Sequence, residues 1–201
     1  MATETKIDND LEIAWPKTGD KLFEEVHTLR GATAAHDAEE RQYRLNLGYQ
    51  RGADLLVEHA EMRPHERADL LYPIVFCYRQ ALELRLKDLL ITYGPDANET
   101  PDFKNHGLED LWTKWKRVLT NLGYDPVLSE PDARVTETHI KEFAKVDPGS
   151  FNFRYAFKTD GNPIERTIGS IDLSRLRTIM AGILNYLECT DMELHHRRHD
   201  W

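Results

Sequence analysis

Two charged residues sit inside the most apolar stretch of this chain, and that placement limits the fold more than any other feature. The run LLYPIVFCY at 70–78 leads directly into RQALELRLKDLLI at 79–91. A helix through this run is apolar on nearly every side, so it has to be buried. Arg79 and Glu83 are one helical turn apart and share a face with Leu86, Lys87 and Leu90. Charged side chains are seldom fully buried unless paired. The run therefore predicts a core helix carrying a polar cluster that needs partners.

The remaining pattern is helical almost throughout. Residues 1–18 read as a flexible N-terminal arm, with Trp15-Pro16 as an anchor point. A short helix is predicted at 20–30 with Leu22, Phe23, Val26 and Leu29 inward, ended by Gly31. Thr33 caps a long helix to about Glu61, with Leu45, Tyr49, Ala53, Leu56 and Ala60 inward. Pro64 opens the core helix to about residue 93, and Pro73 is expected to kink or split it. Gly94-Pro95 is a stop. The next helix spans about 106–122 on the stripe Leu108, Leu111, Trp112, Trp115, Val118, Leu119 and Leu122, and Gly123 ends it. Pro131 starts a helix to about Val146 with Val135, Ile140 and Phe143 inward. Around 150–160, Phe151, Phe153, Tyr155 and Phe157 alternate with other residues, as an extended segment turned at Asp160-Gly161-Asn162-Pro163. A last helix covers about 172–194, and 195–201 read as an exposed tail. The sum is an all-α bundle of five to six helices in a single domain over 19–194.

Composition narrows the function classes. The chain has 201 residues, 40% of them hydrophobic and 30% charged, enough to build a real core. A formal charge of −9 argues against a surface coated by nucleic acid, although a small basic cleft on an acidic body remains compatible with it. With two cysteines, one of them in the apolar helix, no disulfide framework is expected. No apolar run is long enough for a membrane span, and the first ten residues lack the apolar centre of a signal peptide. A cytoplasmic setting without membrane contact follows as the expectation. There is no Gly-rich phosphate loop, CxxC pair, HExxH or GxSxG.

Three pieces of sequence together resemble a known family. They are the helix YRQALELRLKDLL, the His-opened, Trp-bearing HGLEDLW, and FRYAF before a final helix. They resemble bacterial proteins related to the HEPN (higher eukaryotes and prokaryotes nucleotide-binding) superfamily over roughly residues 40–190. Many HEPN proteins are metal-independent ribonucleases of toxin–antitoxin or phage-defence systems; others are non-catalytic binding or dimerisation modules. The resemblance implies a helical bundle, a homodimer, and RNA, a nucleotide or an antitoxin-like protein as partner. It implies no metal and no cofactor. The family's active motif is an Arg, four to six residues, then a His. Arg30–His36 and Arg134–His139 match it. The second pair lies on one predicted helix, though not on the last helix of the bundle, where the family's motif is expected.

The candidate site rests on Arg79, Glu83, His106 and Arg154. In the catalytic reading, Arg79 and Arg154 hold a phosphate, and His106 acts as general base on a ribose 2′-OH. Glu83 and Lys87 line that site and Tyr155 stacks on a base. In the architectural reading, Glu83 accepts from Arg79 or Arg154, His106 packs beside them, and the cluster fixes the register of the aromatic segment. Arg134 and His139 form a weaker alternative pair. His195, His196 and His199 read as solvated, Trp112 and Trp115 as core, and KWKR at 114–117 as a polar face with one inward Trp.

Overall fold

The computed structural model describes residues 15–19, 21–23, 31–100, 103–124, 130–165 and 168–199. The chain divides into two compact units, 1–34 and 35–201. In the first, the described residues include a turn at Thr18–Gly19, where Gly19 adopts φ +95°. Leu22 and Phe23 are 90% and 92% exposed, and neither is helical, so their expected inward placement does not hold. Val26, Leu29 and Arg30 lie outside the described residues.

The second unit is all-α. Its five described helices are α1 (Ala38–Met62), α2 (Arg67–Tyr93), α3 (Leu108–Asn121), α4 (Pro131–Val146) and α5 (Leu173–His199). Helix α1 begins at Asp37, not Thr33. The Asp37 carboxylate accepts the Glu40 amide at 2.8 Å, and Glu40 reaches back to the His36 amide at 2.9 Å. Asp37 therefore out-competes Thr33 as the cap by satisfying an amide donor that the helix leaves open. A single 3-10 turn, Pro64–Glu66, reverses the chain into α2. Asn46 pairs with Asp88 and Asp54 with Tyr78. One partner advances as the other retreats, so α1 and α2 are antiparallel.

Helix α2 runs unbroken across Pro73. Pro73 lies in its second turn, so the carbonyl it leaves unpaired belongs to Asp69, which is exposed and can be hydrated. Downstream, α2 buries Tyr78, Leu82, Leu86, Leu89, Leu90 and Tyr93 against α1, α3 and α5. Trp112 and Trp115 are fully buried, as the sequence predicts. Helix α3 closes in a Schellman motif: the Tyr124 amide donates to the Leu119 carbonyl and the Gly123 amide to Thr120, with Gly123 at φ +79°.

Three expectations fail informatively. The inner face of α4 is Ala133, Thr136, Ile140 and Ala144, while Val135 is 54% exposed. Residues 195–199, expected as a tail, continue α5 as helix. The aromatic segment forms no strand among the described residues. It is a turn at 152–154 followed by one isolated antiparallel bridge, Phe157 to Pro163, so only the expected chain reversal at 160–163 holds, with Gly161 at φ +81°. No described helix is long and apolar enough to cross a membrane.

Candidate functional site

Arg79 is fully buried and ties three parts of the fold together. Its Nη1 donates to Glu83 Oε2 at 2.7 Å, one turn along α2. Its Nη2 donates to the His106 carbonyl at 2.6 Å, just before α3. Its Nε donates to the Asp147 carbonyl at 3.2 Å and lies 3.3 Å from Asp147 Oδ2, at the end of α4. Glu83 is 1% exposed. Its Oε1 accepts from Lys87 Nζ at 2.9 Å and lies 2.8 Å from His106 Nδ1. Lys87 is itself buried and also donates to the Phe103 carbonyl at 3.3 Å. Burial pushes the Glu83 pKa up, but the hydrogen bonds from Lys87, His106 and Arg79 outweigh it, and the net shift is downward.

The interior of this cluster is electrically balanced, with Arg79 and Lys87 against Glu83 and Asp147. Asp147 went unnoticed in the sequence. Its Oδ1 accepts the amides of Phe151 and Asn152 at 2.7 and 3.0 Å, closing the turn after α4. The signal for it was DPGS at 147–150, an Asx-turn composition at a helix end. Ser150 is buried in the left-handed region at φ +59°. Its carbonyl accepts Arg154 Nε at 2.5 Å.

Arg154 does not join the cluster. Glu83 is taken by Arg79, Lys87 and His106, whereas the Arg154 guanidinium lies over Phe76 and Tyr155, 5.6 and 5.3 Å from the ring centroids. Phe153 enters the core and holds this turn down, leaving Arg154 and Tyr155 on the exposed side. Tyr155 stacks on Phe151, with centroids 4.4 Å apart. The expected Arg154–Glu83 contact is therefore replaced by an Asp147–Arg79 contact. Asp147, seven residues earlier, is placed by the end of α4, while Phe153 anchors the turn through its own side chain.

His106 presents a different face. Because an ionised carboxylate only accepts, Nδ1 carries the hydrogen toward Glu83. The side chain is 55% exposed. Arg134 and His139 lie five residues apart on α4. His139 lies 3.1 Å from Glu142 through Nδ1. Comparison with protein-family models, curated proteins and solved structures gave no match.

Proposed function

We propose that this chain is a HEPN-like helical module of the bacterial cytoplasm that acts by binding a protein partner, and that its Arg79–Glu83 cluster is architectural. The observation that supports this most is the state of Arg79. The residue that would have to grip a phosphate is buried, and its Nε, Nη1 and Nη2 are all committed to Glu83, Asp147 and the His106 carbonyl. The cluster has no surplus positive charge to attract a phosphate. A homodimer, and a place in a defence or toxin system, belong to the same proposal.

A ribonuclease remains the second reading, favoured by one feature. Glu83 holds Nδ1 of an exposed imidazole, an arrangement that suits a general base. One assay decides between the two: purified protein, His106→Ala and Arg154→Ala are each incubated with labelled single-stranded RNA. The expected outcome is no cleavage above blank for any of them. Cleavage by the parent chain that disappears in His106→Ala, with folding intact by circular dichroism, overturns the binding-module reading.

A further inference from the structure

A groove of about 880 Å³ runs between α4 and α5. These helices pack together more sparsely than α1 and α2 do. Its apolar wall is Val135, Ile179 and Ile183, and one end carries Glu130 and Asp132. Val135 sits at an apolar position that the helical pattern assigns to the core, yet it lies open here. Gly182 lines the same groove from the middle of α5, and a Cβ added there would meet nothing within 4 Å. Glycine in a helix interior weakens the helix, so nothing in the packing of the isolated chain favours it. It leaves room for a second backbone to approach closely.

The charges at this groove are unequal. Glu193 and Arg197 neutralise each other at 2.7 Å, and Arg197 is further engaged over the Tyr124 ring. Glu130 and Asp132 lie at the start of α4 and form no ion pair among the described residues. The groove thus offers an apolar floor, a glycine notch and, at one end, two carboxylates that no described cation pairs with. Resting on the binding-module reading, we infer that the α4–α5 groove docks one amphipathic helix of a protein partner, basic on its polar face. Its apolar side chains, at steps of three and four, cover Val135, Ile179 and Ile183. Its backbone crosses Gly182, and its Lys or Arg residues meet Glu130 and Asp132. A strongly acidic or purely polar segment does not fit.

The test uses the full chain and a synthetic amidated peptide of leucine and lysine, about 14 residues or roughly 21 Å as a helix, with leucines at i, i+3, i+4 and i+7. Fluorescence anisotropy of the labelled peptide is expected to show saturable binding. Gly182→Leu, which fills the notch and favours helix, is expected to weaken it about tenfold or more while the melting temperature is equal to or above that of the parent chain. Glu130→Lys with Asp132→Lys is expected to weaken it and to flatten its salt dependence. Binding should also slow alkylation of Cys189, which is exposed and lines the groove. Equal binding by Gly182→Leu, or equal binding of the same peptide with glutamate in place of lysine, overturns the inference. So does a Gly182-dependent self-association that the peptide does not compete. Failure of this peptide leaves the RNA assay untouched, whereas His106-dependent RNA cleavage removes the underlying reading whatever the peptide does.

Discussion

Asp147 Oδ2 lies 3.3 Å from Arg79 Nε, joining positions 68 residues apart at the buried meeting point of α2, α4 and the strap before α3. Asp147 Oδ1 closes the following turn. The aspartate thus passes the position of the core guanidinium on to the loop that ends at Arg154. Arg79 also holds the His106 carbonyl and Lys87 holds that of Phe103, so the same cluster fixes the entry to α3. Two loops of the bundle are pinned to its central helix through one ionic node.

Breaking that node should be severe. Arg79→Ala strands Asp147 and removes a donor from Glu83, a loss of about 3–5 kcal/mol by analogy with buried pairs deprived of one partner. Asp147→Asn keeps the shape and an acceptor for the Phe151 and Asn152 amides, so its cost should be nearer 1–2 kcal/mol. Urea unfolding followed by circular dichroism measures both. Losses below about 0.5 kcal/mol in each would show that the node does not carry this load.

Acid should weaken the fold through two carboxylates. Glu83 is held below its ordinary value of 4.5, despite burial, by its three hydrogen-bond donors. Glu137 is held down to about 2, chiefly by the Lys141 hydrogen bond and then, against burial, by Lys116. A carboxylate whose folded pKa is depressed contributes stability that is present above its unfolded pKa and lost as pH falls through the folded one. The stability of the parent chain should therefore decline from about pH 4.5 toward about pH 2. In Glu137→Gln that decline should be shallower, while neutral-pH stability drops. Urea midpoints collected across this range test the slope; an identical slope in the variant counts against the assignment.

Much of this architecture was legible in the sequence because the central signals are local. Pro131 and Val146 bound α4 as expected, Gly123 ends α3, and the buried Arg79–Glu83 pair is announced by charge inside an apolar run. What escaped was long-range choice. The sequence could not rank Asp147 against Arg154 as the partner of the cluster. That ranking depends on the direction in which α4 ends and on Phe153 anchoring the turn. Nor could periodicity tell that Ala133 and Thr136 face inward while Val135 faces a groove, because inward small residues give a weak hydrophobic signal.

Two glycines should respond in opposite ways to alanine. At Gly94 a Cβ would fall on the Leu90 and Glu99 carbonyl oxygens, and the Gly94 carbonyl accepts the Glu99 amide at 2.8 Å. Gly94→Ala must displace backbone at the end of α2 and should cost about 2 kcal/mol or more. Gly48 lies within α1 and a Cβ there meets nothing within 4 Å. Gly48→Ala should gain up to about 1 kcal/mol from helix propensity alone. Paired thermal melts test the sign, and a stabilised Gly94→Ala would contradict the steric argument.

Arg85 provides the last test because three carboxylates converge on it. Its Nη2 reaches Glu188 at 2.6 Å and Asp191 at 2.8 Å, and its Nη1 reaches Asp88 at 3.2 Å. Asp191 also accepts from the Tyr93 hydroxyl at 2.6 Å, and Asp88 from Asn46 at 3.1 Å. Burial raises the Asp88 pKa even with Arg85 in place, with Asp191 adding to the rise. An acid whose folded pKa is raised holds its proton better when folded, so it favours the fold at low pH and opposes it as pH rises through that value. Arg85→Met removes a guanidinium shared by all three acids and should deepen this effect. The variant should lose about 1–3 kcal/mol at neutral pH, because three neighbouring carboxyl groups are left without their shared hydrogen-bond donor. The gap to the parent chain should narrow as the medium is taken from neutral into the acid range, where Asp88, its pKa raised by burial, takes up its proton. Unfolding free energies at both ends of that range measure it. A gap that stays constant with pH would mean that Arg85 acts through packing of its aliphatic stem and not through charge.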